Sequence, residues 1–139
     1  MITERIVPES ERFNFFPSIS KRYIHLEAYS YRLSELFIAN YTGAYYEFIE
    51  LWEDGSLISR FAFPYGESIR IINPMNYSDS TMSCKAAGIA LYLKLYSDFA
   101  NGLFESDPEE SEKFVDNYHQ LKRYALMHNE SDKILAFID

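Results

Sequence analysis

The chain has 139 residues, 47% of them hydrophobic and 24% charged, which suits one globular domain spanning residues 1–139. Its net charge of -8 opposes contact with phosphate, so direct binding to nucleic acid is not expected. The single cysteine excludes an internal disulfide, and residues 1–8 lack the apolar core of a signal peptide. The longest apolar stretch, residues 86–95, contains Lys94 and is too short to span a bilayer. We therefore expect a cytoplasmic protein without membrane contact.

The first predicted helix covers roughly residues 21–39. It follows residues 12–17, a short apolar anchor that closes with a proline. Apolar side chains recur in the helix at positions typical of one helical face, and they are Leu26, Tyr29, Leu33, Leu36 and Phe37. This stripe predicts an amphipathic helix that packs against the core.

Three strands are predicted next, over residues 44–52, 57–63 and 68–72. Glu53-Asp54-Gly55-Ser56 separates the first two strands, and Pro64 and Gly66 separate the second and third. Short turns between successive strands indicate an antiparallel meander. Residues 76–82 are polar and are predicted to be a loop.

The rest of the chain is predicted to be helical. Residues 84–100 are apolar almost all round, which is typical of a central buried helix, and Ser83 is a suitable N-cap. Asp107-Pro108-Glu109-Glu110 begins another helix that runs to about His128, and Ser131 begins a last short one. The predicted fold class is α+β, with a small antiparallel sheet of about three strands packed by about four helices.

No motif for nucleotide, metal or nucleophile chemistry is present in the sequence. His119 and His128 are nine residues apart on one helix and face opposite sides, and His25 is distant in sequence, so no metal ligand set is predicted. Cys84 is expected to be a small buried residue, with a reactive thiol at a helix N-terminus as the alternative. We predict no catalytic residue, no cofactor and no metal.

The most marked charge feature runs from Asp98 to Asp116. It contains seven acidic residues and one basic residue, Lys113. The ordinary interpretation is a solvated helix face, because acidic side chains favour the first turn of a helix. The functional interpretation is an acidic patch that contacts a basic partner, with Glu109, Glu110, Glu112 and Asp116 as candidate interaction residues. The patch is too local to imitate a long DNA duplex.

A second candidate surface is the aromatic strand around Tyr45 and Glu47. Tyr41, Tyr45, Tyr46 and Trp52 form either part of the core or an exposed aromatic platform. Glu47 is either a solvated sheet residue or part of a functional surface. No basic groove accompanies these residues, so stacking on single-stranded nucleic acid is not favoured.

Several runs of the sequence, in order along the chain, resemble the antirestriction family typified by ArdB and KlcA. Residues 41–51 (Tyr-Thr-Gly-Ala-Tyr-Tyr-Glu-Phe-Ile-Glu-Leu) are similar to the family's Tyr-Asn-Gly-Gly-Tyr-Trp-Glu-Phe-Tyr-Glu-Leu. Residues 83–89 (Ser-Cys-Lys-Ala-Ala-Gly-Ile) resemble its Ser-Ala-Asp-Ala-Ala-Gly-Ile. Residues 118–128 resemble its Tyr-His-x-Leu-Arg-x-Phe-Ala-x-x-His helix, residues 134–139 its Ile-x-x-Ala-Ile-Asp ending, and residues 12–17 its Arg-x-x-Phe-Leu-Pro entry.

The resemblance implies a small α+β protein of a plasmid, phage or genomic island. Such a protein relieves Type I restriction-modification inside the bacterial cell, without catalysis and through direct or indirect protein contacts. One alternative is an acidic DNA mimic that binds the DNA site of the restriction enzyme. Another is a small enzyme of unknown chemistry. We expect a monomer or a weak homodimer.

Overall fold

Helices and strands alternate in four groups along the chain, and the computed structural model describes all 139 residues. The elements are β1 (Ile2–Ile6), a 3₁₀ helix (Glu9–Asn14), α1 (Phe15–Ile19), α2 (Tyr23–Phe37), β2 (Tyr46–Glu53), β3 (Ser56–Pro64), β4 (Ser68–Asn73), β5 (Ser78–Ser83), α3 (Cys84–Leu103), α4 (Pro108–Leu126) and α5 (Ser131–Ile138). The α+β class is confirmed. No helix is long and apolar enough to cross a membrane.

The larger sheet has the strand order β1-β2-β3, and all its pairs are antiparallel. β2 and β3 form the predicted hairpin. Its turn residues Asp54 and Gly55 have φ values of 51° and 79°, the left-handed conformation that a tight two-residue turn requires. β1 was not predicted, because it is a five-residue strand in which Glu4 and Arg5 interrupt the apolar pattern.

The predicted meander is wrong in its third strand. β4 pairs with β5 in a separate two-stranded sheet, and β5 lies in the segment predicted to be a loop. The free edge of β3 is covered instead by α3, whose Tyr96 hydroxyl donates a hydrogen bond to the Arg60 carbonyl of β3. Because a helix lies along this edge, β4 cannot pair with β3.

Helix α3 is the centre of the molecule, as its apolar sequence predicts. Twelve of its 20 residues are buried, and the Ser83 hydroxyl caps it by accepting a hydrogen bond from the Ala86 N–H at 3.1 Å. α4 packs along it and begins with the predicted Asp107 cap and Pro108 at the first helical position. The largest buried side chains beside α3 come from β3, α4 and α5, and they include Phe61, Phe114 and Phe137.

At Gly88, α3 lies directly against the backbone of β3. A Cβ atom at this position would lie 2.4 Å from the Phe63 Cβ and 2.5 Å from the Ala62 carbonyl oxygen. Backbone atoms of a paired strand cannot move aside without breaking the sheet. The helix can therefore lie on the strand only with glycine here.

We expect G88A to destabilise the fold by about 3 kcal/mol, because overpacking against backbone forces the helix away from the strand. The free energy of urea unfolding measures this effect. G102A in the same helix is the matched control, since a Cβ there meets nothing within 4 Å, and alanine at that position leaves stability unchanged or raises it slightly. Equal stability of G88A and the parent protein would contradict the close-packing account.

Candidate interaction surfaces

Arg12, on the 3₁₀ helix, contacts both residues that were predicted as a candidate surface on the aromatic strand, Tyr45 and Glu47. Its guanidinium donates hydrogen bonds to the Tyr45 hydroxyl and, at 3.3 Å, to the Tyr46 carbonyl. Its Nη2 lies 3.5 Å from Oε2 of Glu47, and its Cζ lies 5.1 Å from the centre of the Tyr45 ring. The hydrogen bond and the cation–π contact hold Tyr45 in place although 57% of its surface is exposed.

An open groove of about 280 Å³ lies beside Arg12. Its walls are mainly aromatic and are formed by Arg12, Tyr31, Tyr41, Tyr45, Tyr46 and Phe48, which we call the tyrosine groove. At its base the Tyr46 hydroxyl lies 2.7 Å from the Ser34 hydroxyl and 2.8 Å from the Tyr41 hydroxyl. Burial raises the pKa of Tyr46 well above its ordinary value, so the Tyr46 hydroxyl keeps its proton at neutral pH.

The outer rim of the groove exposes two tyrosine rings. Tyr65 is 71% exposed and meets Tyr45 edge to face, with 6.4 Å between the ring centres. Among the predicted aromatic residues, Tyr45 is therefore exposed, whereas Tyr41, Tyr46 and Trp52 are half-buried. Rigid, exposed Tyr rings beside an Arg have the composition of protein-binding surfaces.

Three of the four predicted acidic residues share one exposed face of α4. Glu109, Glu112 and Asp116 follow a helical spacing and form no ion pair within the chain. We call these three residues the acidic face. No hydrogen bond or ion pair joins the acidic face to the tyrosine groove, so the two candidate surfaces are separate.

Glu110 is the fourth predicted acidic residue, and the structure places it inside the molecule with only 2% of its surface exposed. Its carboxylate accepts hydrogen bonds from the Ser20 hydroxyl at 2.6 Å and from the Lys21 N–H at 3.2 Å, and it pairs with Lys113 at 2.9 Å. It thus ties α4 to the connection between α1 and α2. Glu110 has no exposed surface to offer a partner, and the acidic patch is smaller than the sequence suggests.

Other acids of the same run are also satisfied within the chain. Asp107 pairs with Lys21 at 3.2 Å and with Arg22 at 3.0 Å, and Asp98 pairs with Lys94 at 3.1 Å. No group of three or more His, Cys, Asp or Glu residues is placed to hold a metal ion. Cys84 is buried, and burial raises the pKa of its thiol, which makes the thiolate less accessible.

Sequence reasoning missed the parts of the tyrosine groove that come from other elements. Arg12 lies 33 residues before Tyr45, and Tyr31 lies outside the apolar stripe predicted for α2. No periodicity connects positions so far apart. The only signal in the sequence was the presence of Arg12 in a run that resembles the family's entry segment.

The overall fold matches that of a known class of bacterial proteins. It superposes on a chain from the solved structures of the KlcA and ArdB proteins with a TM-score of 0.83, at 26% identity, over 99% of this chain and 95% of the other. Those proteins show a novel fold and antirestriction activity against Type I DNA restriction systems in vivo but not in vitro.

Sequence comparison gives the family. The model of the antirestriction protein family matches residues 39–139, and this chain belongs to that family. It is 30% identical to the uncharacterised protein YafX of Escherichia coli K12, over 99% of this chain and 88% of YafX. It is 29% identical to YubI of the same strain, named as a candidate antirestriction protein, over 96% of this chain and 93% of YubI.

The buried position of Glu110 predicts a pH-dependent contribution to stability. Burial alone raises the pKa of this carboxyl, but hydrogen bonds from Lys113, Ser20 and Lys21 outweigh burial and leave the pKa below its ordinary value. A carboxyl with a lowered folded-state pKa stabilises the protein above its unfolded-state pKa. That stabilisation is lost as the pH falls through the folded-state pKa.

We therefore expect E110Q to lower the free energy of unfolding at neutral pH by about 1–2 kcal/mol, with the difference from the parent shrinking below about pH 4. Urea unfolding at several pH values measures both quantities. E109Q, at the exposed neighbouring position, is the control and should match the parent protein. A destabilisation by E110Q that stays constant at acid pH would show that charge is not its cause.

Proposed function

We propose that this chain relieves Type I restriction-modification inside the bacterial cell, through protein contacts and without catalysis. The observation that carries the proposal is the match to the KlcA and ArdB fold over 99% of the chain, together with its membership of the antirestriction family. We propose that residues 1–139 act as one domain in the cytoplasm, as a monomer or a weak homodimer, and without direct contact to nucleic acid.

The proposed route of action is indirect. The KlcA and ArdB proteins act in vivo but not in vitro, which supports the idea that a further cell component is needed. For the present chain we infer the same requirement. Its partner is then a component of the restriction system in the cell or a factor that controls that system, rather than the bare restriction enzyme.

The charge distribution argues against the DNA-mimic alternative. Duplex DNA carries about one negative charge per 1.7 Å of its axis, so a mimic needs carboxylates along its whole length. The acidic face has three carboxylates, and neighbouring Asp98, Asp107 and Glu110 are held in internal ion pairs. A block of the DNA site therefore has little support in the structure.

The tyrosine groove is the surface that we propose for the partner. Its rim presents Tyr45, which Arg12 holds in position, with the exposed Tyr65 ring beside it, so little side-chain entropy of Tyr45 is lost when a partner binds. Glu47 supports the groove by its ion pair with Arg12. The acidic face is the second candidate, because it has free carboxylates but no adjoining apolar anchor.

The function is tested by plating unmodified phage on a host with a Type I restriction system, with and without this protein. We expect plating to rise severalfold, with no change for modified phage or for a host that lacks the restriction enzyme. We expect this protein not to inhibit DNA cleavage by the purified restriction enzyme. Salt-sensitive competition with DNA in the purified assay would instead establish the mimic, and no rise in plating would refute antirestriction.

The tyrosine groove is tested by Y45S in the same plating assay. We expect Y45S to lose most of the protection, because the ring is an exposed anchor whose removal leaves the core intact. Y77S is the matched control, since Tyr77 is 93% exposed in the β4–β5 turn, away from the groove. Protein levels and unfolding curves must match the parent protein for both variants.

A triple variant, E109K/E112K/D116K, tests the acidic face. Retained protection with this variant and lost protection with Y45S support the groove. Lost protection with the triple variant and full protection with Y45S would contradict our choice of surface.

A further inference from the structure

A second cavity, separate from the tyrosine groove, lies on the other side of the 3₁₀ helix. It has a volume of about 170 Å³ and is closed by the 3₁₀ helix and α1 on one side and by β2 and β3 on the other. The polar side chains that line it are Glu11, Asn14, Ser18, Glu50 and Arg60, and Phe13 stands at its rim. None of its lining residues belongs to the tyrosine groove.

Arg60 is the only arginine of the chain without an anionic partner. The other six arginines each lie within 3.5 Å of a carboxylate oxygen, and they are Arg5, Arg12, Arg22, Arg32, Arg70 and Arg123. The Arg60 side chain makes no ion pair and no hydrogen bond, although the chain has 21 acidic residues. A half-buried guanidinium without a partner is unusual, because burial removes part of its hydration.

The residue opposite Arg60 explains why it is unpaired. β2 places Glu50 directly across from Arg60, but the Glu50 carboxylate is turned to Arg5 at 2.9 Å and to the Trp52 indole N–H at 3.1 Å. Glu11 is likewise held by Arg5 at 3.0 Å. Both contacts of Glu50 use Oε1, and no ion pair or hydrogen bond joins Glu11 or Glu50 to Arg60, so the donors of Arg60 remain free.

We propose that this cavity binds an acidic side chain, Asp or Glu, of a protein partner, with its carboxylate on Arg60. The planar guanidinium presents parallel N–H groups that match a carboxylate in bidentate geometry. The volume is sufficient for an Asp or Glu side chain. Glu11 and Glu50 repel any incoming anion, and they repel a doubly charged phosphate about twice as strongly as a single carboxylate.

The rim of the cavity supports a protein ligand. The Phe13 ring is 82% exposed and adjoins the polar cavity, so it offers an apolar contact to the residue that carries the carboxylate. An arginine-based pocket beside an exposed aromatic ring is typical of a binding hot spot. Burial lowers the pKa of Arg60, and a carboxylate that enters the cavity compensates for the hydration that this guanidinium has lost. The site does not depend on the antirestriction activity.

The test uses the full chain and follows the side-chain Nε–Hε resonance of Arg60 by NMR. The first probe is N-acetylaspartate α-amide, whose only carboxylate is that of the side chain. Its neutral match is N-acetylasparagine α-amide, and the third probe is inorganic phosphate. We expect a saturable shift of Arg60 and of the Asn14 and Ser18 amides with the carboxylate probe alone. The resonance of Arg32, in an exposed surface pair, serves as the internal control.

R60Q should weaken binding of the carboxylate probe by about tenfold, whereas R32Q should leave it unchanged. The amide spectrum of R60Q shows whether this variant is folded. If R60Q does not fold, the comparison of the Arg60 and Arg32 resonances in the parent protein still tests the proposal. Non-saturating shifts, or equal shifts of Arg32 and Arg60, would overturn the proposal. Tighter binding of phosphate than of the carboxylate probe would overturn the assignment to an acidic side chain.

Discussion

The close approach of α3 to β3 at Gly88 is the constraint on which the rest of the structure depends. With only a hydrogen at this position, the helix lies against the strand backbone and its Tyr96 hydroxyl reaches the Arg60 carbonyl. The helix thereby covers the strand edge that would otherwise be open to pairing. The chain that leaves β3 must turn away and form its own hairpin, β4–β5. The division into two sheets thus follows from the absence of one Cβ atom.

The N-terminal segment is held to this framework by a second constraint, the buried Glu110. Its hydrogen bonds to Ser20 and Lys21 fix the connection between α1 and α2 against the start of α4. Phe15 and Phe16 pack on Phe48 of β2 just before that connection. The 3₁₀ helix is therefore fixed at both ends, by β1 and by α1, and it places Arg12 on one side and Phe13 on the other. Both proposed binding sites depend on this short helix.

Elements with strong local signals were predictable, and elements defined by distant partners were not. Neighbouring residues are enough to determine three features, namely the apolar helix α3, the Asp107-Pro108 start of α4 and the Asp54-Gly55 turn. β1 and β5 are short and polar, and they become strands only because β2 and β4 lie beside them. Likewise Tyr45 could be named from its strand, but its contact with Arg12 depends on the fold of the 44 residues that precede it.

A count of charges along the sequence leaves out the ion pairs that form within the folded chain. The run from Asp98 to Asp116 reads as one acidic patch, yet Glu110 is buried in it and Asp107 pairs with two basic residues from the connection between α1 and α2. Internal pairing therefore uses acids that a linear count assigns to the surface. The same pairing leaves Arg60 as the arginine without a counterion, although the chain is acidic overall. Net charge thus points toward DNA mimicry, whereas the unmatched groups, namely exposed tyrosines and one free guanidinium, point toward recognition of a protein surface.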